Sequence, residues 1–192
     1  MYKKILFLFI ILLFSASILN AGAQKRAVLI IPQSGFDDNE MLVVKGSLEK
    51  AGVSVKVASE STDVAAGMQG LKVEPQITFF ELYARDFDAV IFIGGMGSSR
   101  FWNDARMQKI AQDAFNNDRI VAAISDAPVI LARAGILNGR RATIIASQSN
   151  EIVAGGGIYT SKPVETDDNI ITAYGPQAAY EFALEIIKAL QR

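Results

Sequence analysis

The sequence predicts an α/β fold in three layers, with a mainly parallel β-sheet covered by helices on both faces. Three observations predict it. The short apolar runs Ala27–Pro32, Ala89–Ile93 and Arg119–Ile124 have the length and composition of strands buried on both sides. The stretches between them place apolar residues at helical spacing. Strand-like and helix-like segments then alternate along the chain, as parallel strands joined by crossover helices require.

The first residues stand apart from this pattern. Lys3 and Lys4 precede an almost wholly apolar run from Ile5 to Leu19, which ends in Ala21-Gly22-Ala23. A basic start, an apolar centre and small residues at the end are the order of a secretory signal peptide. Cleavage after Ala23 is expected, leaving one domain over residues 24–192. The apolar run is shorter than the roughly 20 residues a spanning helix needs, so a retained anchor is the weaker alternative. The sequence therefore predicts an exported protein, periplasmic or extracellular, with no stable membrane insertion after cleavage.

Within the domain, Ala27–Pro32 is the first strand. Asp37 and Asp38 suit a helix N-terminus. Met41, Val44, Leu48 and Ala51 continue that helix until Gly52 ends it. Val53–Ala58 alternates as a second strand. Gly67, Gly70 and Pro75 interrupt residues 60–85, where Leu71–Phe79 reads as a small hairpin or an irregular excursion. Ala89–Ile93 is a buried strand ending in Gly94-Gly95. A helix from about Asp104 to Phe115 puts Met107, Ile110, Ala111 and Ala114 on one face. Arg119–Ile124 is the next strand, and Pro128 marks the start of a helix running to Ala134. Ala142–Ala146 reads as a further strand, Val164–Tyr174 as strand, turn and strand. The final helix follows Gly175-Pro176.

Composition narrows the chemistry. The chain has no cysteine, hence no disulfide, thiol chemistry or zinc–thiolate site, and no histidine, hence no Ser-His-Asp triad or imidazole ligand. Without the leader its 19 basic residues fall to 17 against 20 acidic ones, a net charge of −3. A mildly acidic domain without basic runs is a poor partner for nucleic acid. Gly95-Met96-Gly97 has Arg100 where a dinucleotide loop would carry its third glycine, so no cofactor is expected, and no metal site is read from the motifs.

In a parallel sheet, ligands bind at the carboxyl ends of the strands. The loops Gln33–Glu40, Gly94–Arg100 and Ser125–Pro128 all leave there. The segment from Val121 to Ala132, with Ile124-Ser125-Asp126-Ala127-Pro128 at its centre, resembles the nucleophile elbow of the PfpI-type (DJ-one) family. That family has cysteine where Ser125 stands. The stretch Gly35–Glu40 resembles the one carrying a glutamate beside that cysteine. Asp88–Gly95 resembles the strand leading to the double glycine near the oxyanion site, and Asp168–Pro176 with Glu181–Leu184 the last hairpin and helix. The resemblance implies a flavodoxin-like three-layer sandwich, a homodimer, and glyoxalase or deglycase, peptidase or holding-chaperone activities. Those reactions are attributed to the cysteine that is missing here.

The candidate catalytic residues are therefore Ser125, Glu40 and Asp126, with Gly94, Gly95 and Asp126 as candidate oxyanion or ligand-binding residues. Each has a plainer reading. Ser125 is either a nucleophile or a cap on the helix starting near Pro128. Glu40 either points into the site with a raised pKa or lies exposed in the first turn of its helix. Asp126 is either half of an acid/base pair, part of a carboxylate cation site, or a capping acid. Arg100, Phe101 and Trp102 read as a rim able to hold an anionic small molecule. The preferred function is a catalytically atypical module, lacking the family's cysteine mechanism, that binds a small molecule or protects other proteins. The alternatives are a hydrolase or glyoxalase/deglycase-like enzyme using Ser125, Glu40 and Asp126, and a cation site.

Overall fold

Strand β1 (Arg26–Ile30) runs through the interior of a seven-stranded sheet, because every residue after Arg26 is apolar and buried. The computed structural model describes residues 23–192, so the expected leader lies outside the described residues except for Ala23. The remaining strands are β2 (Ser34–Phe36), β3 (Ser54–Ser59), β4 (Ala65–Gly67), β5 (Lys72–Val73), β6 (Ile77–Thr78), β7 (Ala89–Phe92), β8 (Ile120–Ile124), β9 (Arg141–Ala142), β10 (Ile158–Tyr159), β11 (Val164–Asp167) and β12 (Ile170–Ala173). The main sheet has the order β11-β12-β8-β7-β1-β3-β6. All its neighbours pair in parallel except the β11–β12 hairpin.

Helices α1 (Asp38–Lys50) and α5 (Ala179–Leu190) cover one face, and α2 (Ala105–Asn116) and α3 (Pro128–Arg133) the other; α4 (Ser149–Ala154) packs beside α3. Strand alternation sorts the core between them. Leu29, Ile91 and Ala122 meet Met41, Val44, Leu48, Phe182 and Ile186. Val28, Val90 and Val121 meet Met107, Ile110, Ala111 and Ile130. This is the flavodoxin-like three-layer sandwich that the sequence predicts. Helix starts follow local chemistry: the Asp37 carboxylate accepts from the Glu40 N–H, Asp104 accepts from the Arg106 and Met107 amides, and Pro128 occupies the first turn of α3.

Two segments differ from the expectation. Residues 60–85 form the β4–β5 hairpin, which joins β2 in a small three-stranded sheet, while β6 extends the main sheet. The run Ala142–Ala146 is not a strand of the main sheet. Only Arg141–Ala142 pairs, with β10, and Ala146–Gln148 forms a 3-10 turn. Both edges of β12 are already taken by β8 and β11, so this apolar run cannot pair with it. Thr143 bonds to the Thr172 hydroxyl and the Lys162 carbonyl instead. Among the described residues no helix is long and apolar enough to cross a membrane.

Candidate functional site

Strands β1, β7, β8 and β12 lie near one another and run the same way, so their carboxyl ends open onto one rim. β1 leads through β2 to Asp37 and Glu40, β7 to Gly94-Gly95, β8 to Ser125-Asp126, and β12 to Gly175-Pro176. Topology thus brings Glu40, Gly94, Gly95, Ser125 and Asp126 together.

Ser125 sits at the turn from β8 to α3 with φ 65°, a left-handed conformation that costs a side-chain-bearing residue on the order of 1 kcal/mol. Its N–H donates to the Ala173 carbonyl at 3.0 Å, and its own carbonyl accepts from the Ile145 N–H at 3.0 Å. The capping reading fails. Helix α3 takes Ala127 as its cap and has no side-chain cap bond. Ser125 is buried, its side chain lines a cavity, and its hydroxyl makes no hydrogen bond among the described residues.

Glu40 is fully buried, which overturns the exposed-acid reading. The N-capping of α1 by Asp37 fixes the helix so that residue 40 turns inward, where its Oε2 accepts from the Gly94 N–H at 2.9 Å. No cation pairs with it among the described residues, and its Oε1 has no hydrogen-bond partner. Burial, followed by the charge of Asp37, pushes its pKa up to about 8. The Gly94 bond opposes that, the Asp126 charge adds to it, and the nearby Ser125 hydroxyl favours the carboxylate weakly while falling short of hydrogen-bond geometry. At neutral pH Glu40 is a neutral acid.

Asp126 does not cap α3 either. Its carboxylate reaches back across the rim, where Oδ1 accepts from the Gly95 N–H at 3.0 Å and Oδ2 from the Ser98 hydroxyl at 2.7 Å. Burial raises its pKa; the bonds from Ser98, Gly95 and its own backbone N–H hold it down, and the charge of Asp37 adds a smaller upward push. The consequence narrows the oxyanion reading. The Gly94 N–H serves Glu40, and the Gly95 N–H serves the Asp126 carboxylate. Of the expected donors only the Asp126 N–H makes no hydrogen bond to another of the described residues. The glycines are needed for another reason: a Cβ on Gly94 would lie 2.5 Å from the Ser125 Cβ, and one on Gly95, at φ 118°, 2.6 Å from the Asp37 nitrogen.

These groups border an open cavity of about 500 Å³. Asp37 and Asp126 supply its charge, and Ser99, Ser125, Ser147 and Gln148 its neutral polar groups. Met68, Met96, Trp102, Ile145 and Pro176 supply apolar surface. Of the expected aromatic rim only Trp102 is present. Phe101 is buried against Phe79, and Arg100 turns away to the Ser34 carbonyl and Glu60, so no anion-binding arginine faces the cavity. Asp37 was legible only as a helix-start acid. Ser98 and Met68 carried no sequence signal, because their places depend on a 3-10 turn at 96–101 and on the β4–β5 hairpin. Among the described residues no group of three or more acidic side chains is arranged to hold a metal ion.

The sequence model of the DJ-1/PfpI family matches residues 25–189. The glutathione-independent glyoxalase DJR-1.2 of Caenorhabditis elegans is 27% identical, over 88% of this chain and 91% of its own. The deglycase PfpI of Pyrococcus furiosus is 28% identical, over 85% of this chain and 99% of its own. The crystal structure of a ThiJ/PfpI domain protein from Brachyspira murdochii superposes with a TM-score of 0.86 at 32% identity, covering 88% of this chain and 98% of that one.

Proposed function

The chain belongs to the DJ-1/PfpI family, and from that premise we propose that it is a non-covalent small-molecule binding module rather than an enzyme of cysteine type. One observation carries this reading: the Asp126 carboxylate occupies the Gly95 N–H, where a reacting oxygen would otherwise be stabilised. A second point agrees with it. A serine hydroxyl needs a positioned base to become a nucleophile. Glu40, with its pKa raised to about 8, holds its proton at pH 7, and there is no histidine. What remains is a strained, buried turn beside a cavity that suits recognition of a ligand.

The test is methylglyoxal consumption with lactate detection, using the protein from Gln24 onward and Ser125→Ala. The expected result at pH 7 is no turnover by either. Turnover by the parent that disappears in Ser125→Ala overturns the reading. A second reading, a glyoxalase- or deglycase-like enzyme using Ser125 with Glu40 and Asp126, draws on the relatives' names and on the ionisation of Glu40 above pH 8. It predicts Ser125-dependent turnover that rises through pH 8.

We further propose that the domain acts outside the cytoplasm as a homodimer. Support comes from the basic-then-apolar leader before Ala23 and, for the dimer, from the habit that the family resemblance implies. N-terminal sequencing of the exported protein that does not begin near Gln24, or sedimentation showing only monomer at micromolar concentration, would reject the respective part.

A further inference from the structure

We propose that the cavity beside Ser125 binds organic cations, namely small protonated amines carrying an apolar or aromatic body. The inference rests on the binding-module reading and supplies its ligand class. Two charged side chains line the cavity, Asp37 and Asp126, and both are acidic. Asp37 is only 7% exposed, and neither is ion-paired among the described residues. Buried carboxylates without a counter-charge are costly, and a cation placed between them offsets that cost. Arg100 and Arg133, the guanidinium groups closest in sequence or packing to the rim, are already engaged by Glu60 and Glu151.

One effect runs the other way. The cavity faces the N-terminal end of α1, which by itself favours anions. Here the relevant donors are spent: the Glu40 N–H on Asp37, the Gly94 N–H on Glu40 and the Gly95 N–H on Asp126. An entering anion would meet two carboxylates, with the Asp126 amide and the Trp102 indole N–H, unpaired among the described residues, to set against them. An ammonium group meets the same carboxylates as acceptors.

The Ser125 hydroxyl supplies an independent pointer. It is 92% buried by residue, lines the cavity and has no hydrogen-bond partner, so it is available to accept an N–H from the ligand. The rest of the wall selects the body of the ligand. Met68, Met96 and Ile145 offer apolar and polarisable contact that a hydrated inorganic ion cannot use, and Trp102 adds apolar surface although the Arg133 guanidinium lies 5.5 Å from its ring centroid. The lack of a three-carboxylate cluster among the described residues argues the same way.

The experiment is calorimetric titration at pH 7 with three probes of similar shape: benzylammonium, benzyl alcohol and benzoate, with calcium chloride as a fourth. Benzylammonium is expected to bind at least about tenfold more tightly than benzyl alcohol, while benzoate and calcium give no heat. Asp126→Asn, which retains a carbonyl oxygen for the Gly95 N–H, and Asp37→Asn, which retains a capping oxygen, should each weaken benzylammonium by about tenfold. Asp113→Asn, on the exposed face of α2, should leave it unchanged. Circular dichroism and melting confirm that each variant is folded. Equal binding of benzyl alcohol or benzoate, or affinity untouched by both acid substitutions, overturns the cation assignment but leaves a binding module. Absence of binding by every probe overturns the assignment as well. Ser125-dependent methylglyoxal turnover is the separate result that removes the binding-module reading itself.

Discussion

Glu40 and Glu165 are both buried glutamates, 0% and 3% exposed, yet their surroundings are opposite. Glu165, on the edge strand β11, lies 3.0 Å from the Lys162 ammonium and 3.4 Å from the Arg141 guanidinium. Glu40, at the carboxyl ends of the central strands, has one backbone amide, two neighbouring carboxylates and no cation among the described residues. The sheet edge neutralises its buried acid with counter-charge, whereas the rim neutralises its own with a proton. The proton leaves Glu40 sensitive to physiological pH, next to the Gly94-Gly95 turn that borders the cavity.

The largest effect expected from this contrast is a pH-dependent one. Glu40 ionises at about 8 in the folded chain and near the ordinary glutamate value of 4.5 when unfolded. Between those values the folded protein keeps a proton that the unfolded chain has lost. The contribution of Glu40 is fully present below pH 4.5 and is lost as pH rises to 8. Glu40→Gln, which mimics the neutral acid, should remove that decline, at most about 5 kcal/mol between pH 4.5 and 9. Urea unfolding at pH 5, 7 and 9 measures it. An equal decline in parent and variant would break the comparison.

Glu165→Gln should behave differently, destabilising by about 2 kcal/mol at pH 7 and less at high salt. Its cationic partners are more than half exposed and can return to water. The same urea experiment with and without 1 M salt, roughly the concentration that shortens screening to 3 Å, checks this. A salt-independent loss would mean that packing, not counter-charge, holds Glu165. The smallest expected effect is at Ser125. Ser125→Gly relieves the positive φ and should raise stability by about 1 kcal/mol, or roughly 2–4 °C in melting temperature. A lower melting temperature would show that the side chain, not the backbone alone, supports the turn.

Much of this arrangement was legible before any coordinates. The central strands declare themselves through runs such as Ala89–Ile93, since a strand covered on both faces leaves little room for polar residues. The helix from about Asp104 and the one beginning at Pro128 were equally readable, from spacing and from proline chemistry. Glu40 was not. Three residues after an N-capping aspartate, an acid is ordinarily exposed, and only its packing beneath Gly94 decides otherwise. Asp126 stayed open between readings because a side chain one residue past a strand can cap the next helix or reach back to the preceding loop. The choice depends on Ser98, 28 residues earlier. The run Ala142–Ala146 has the composition of a strand, but only Arg141–Ala142 pairs, with β10, and which strands pair is a property of the whole topology.

The turn at Ser125 is held from both sides by main-chain bonds, to Ala173 and from Ile145. No side-chain atom of residue 125 takes part in them. Posture and reagent are therefore separately encoded at this position: the neighbouring segments dictate how the backbone stands, and one codon dictates what it presents. A change of small side chain here can exchange one chemistry for another while the surroundings stay as they are. The scaffold can thus outlast any single reaction it supports.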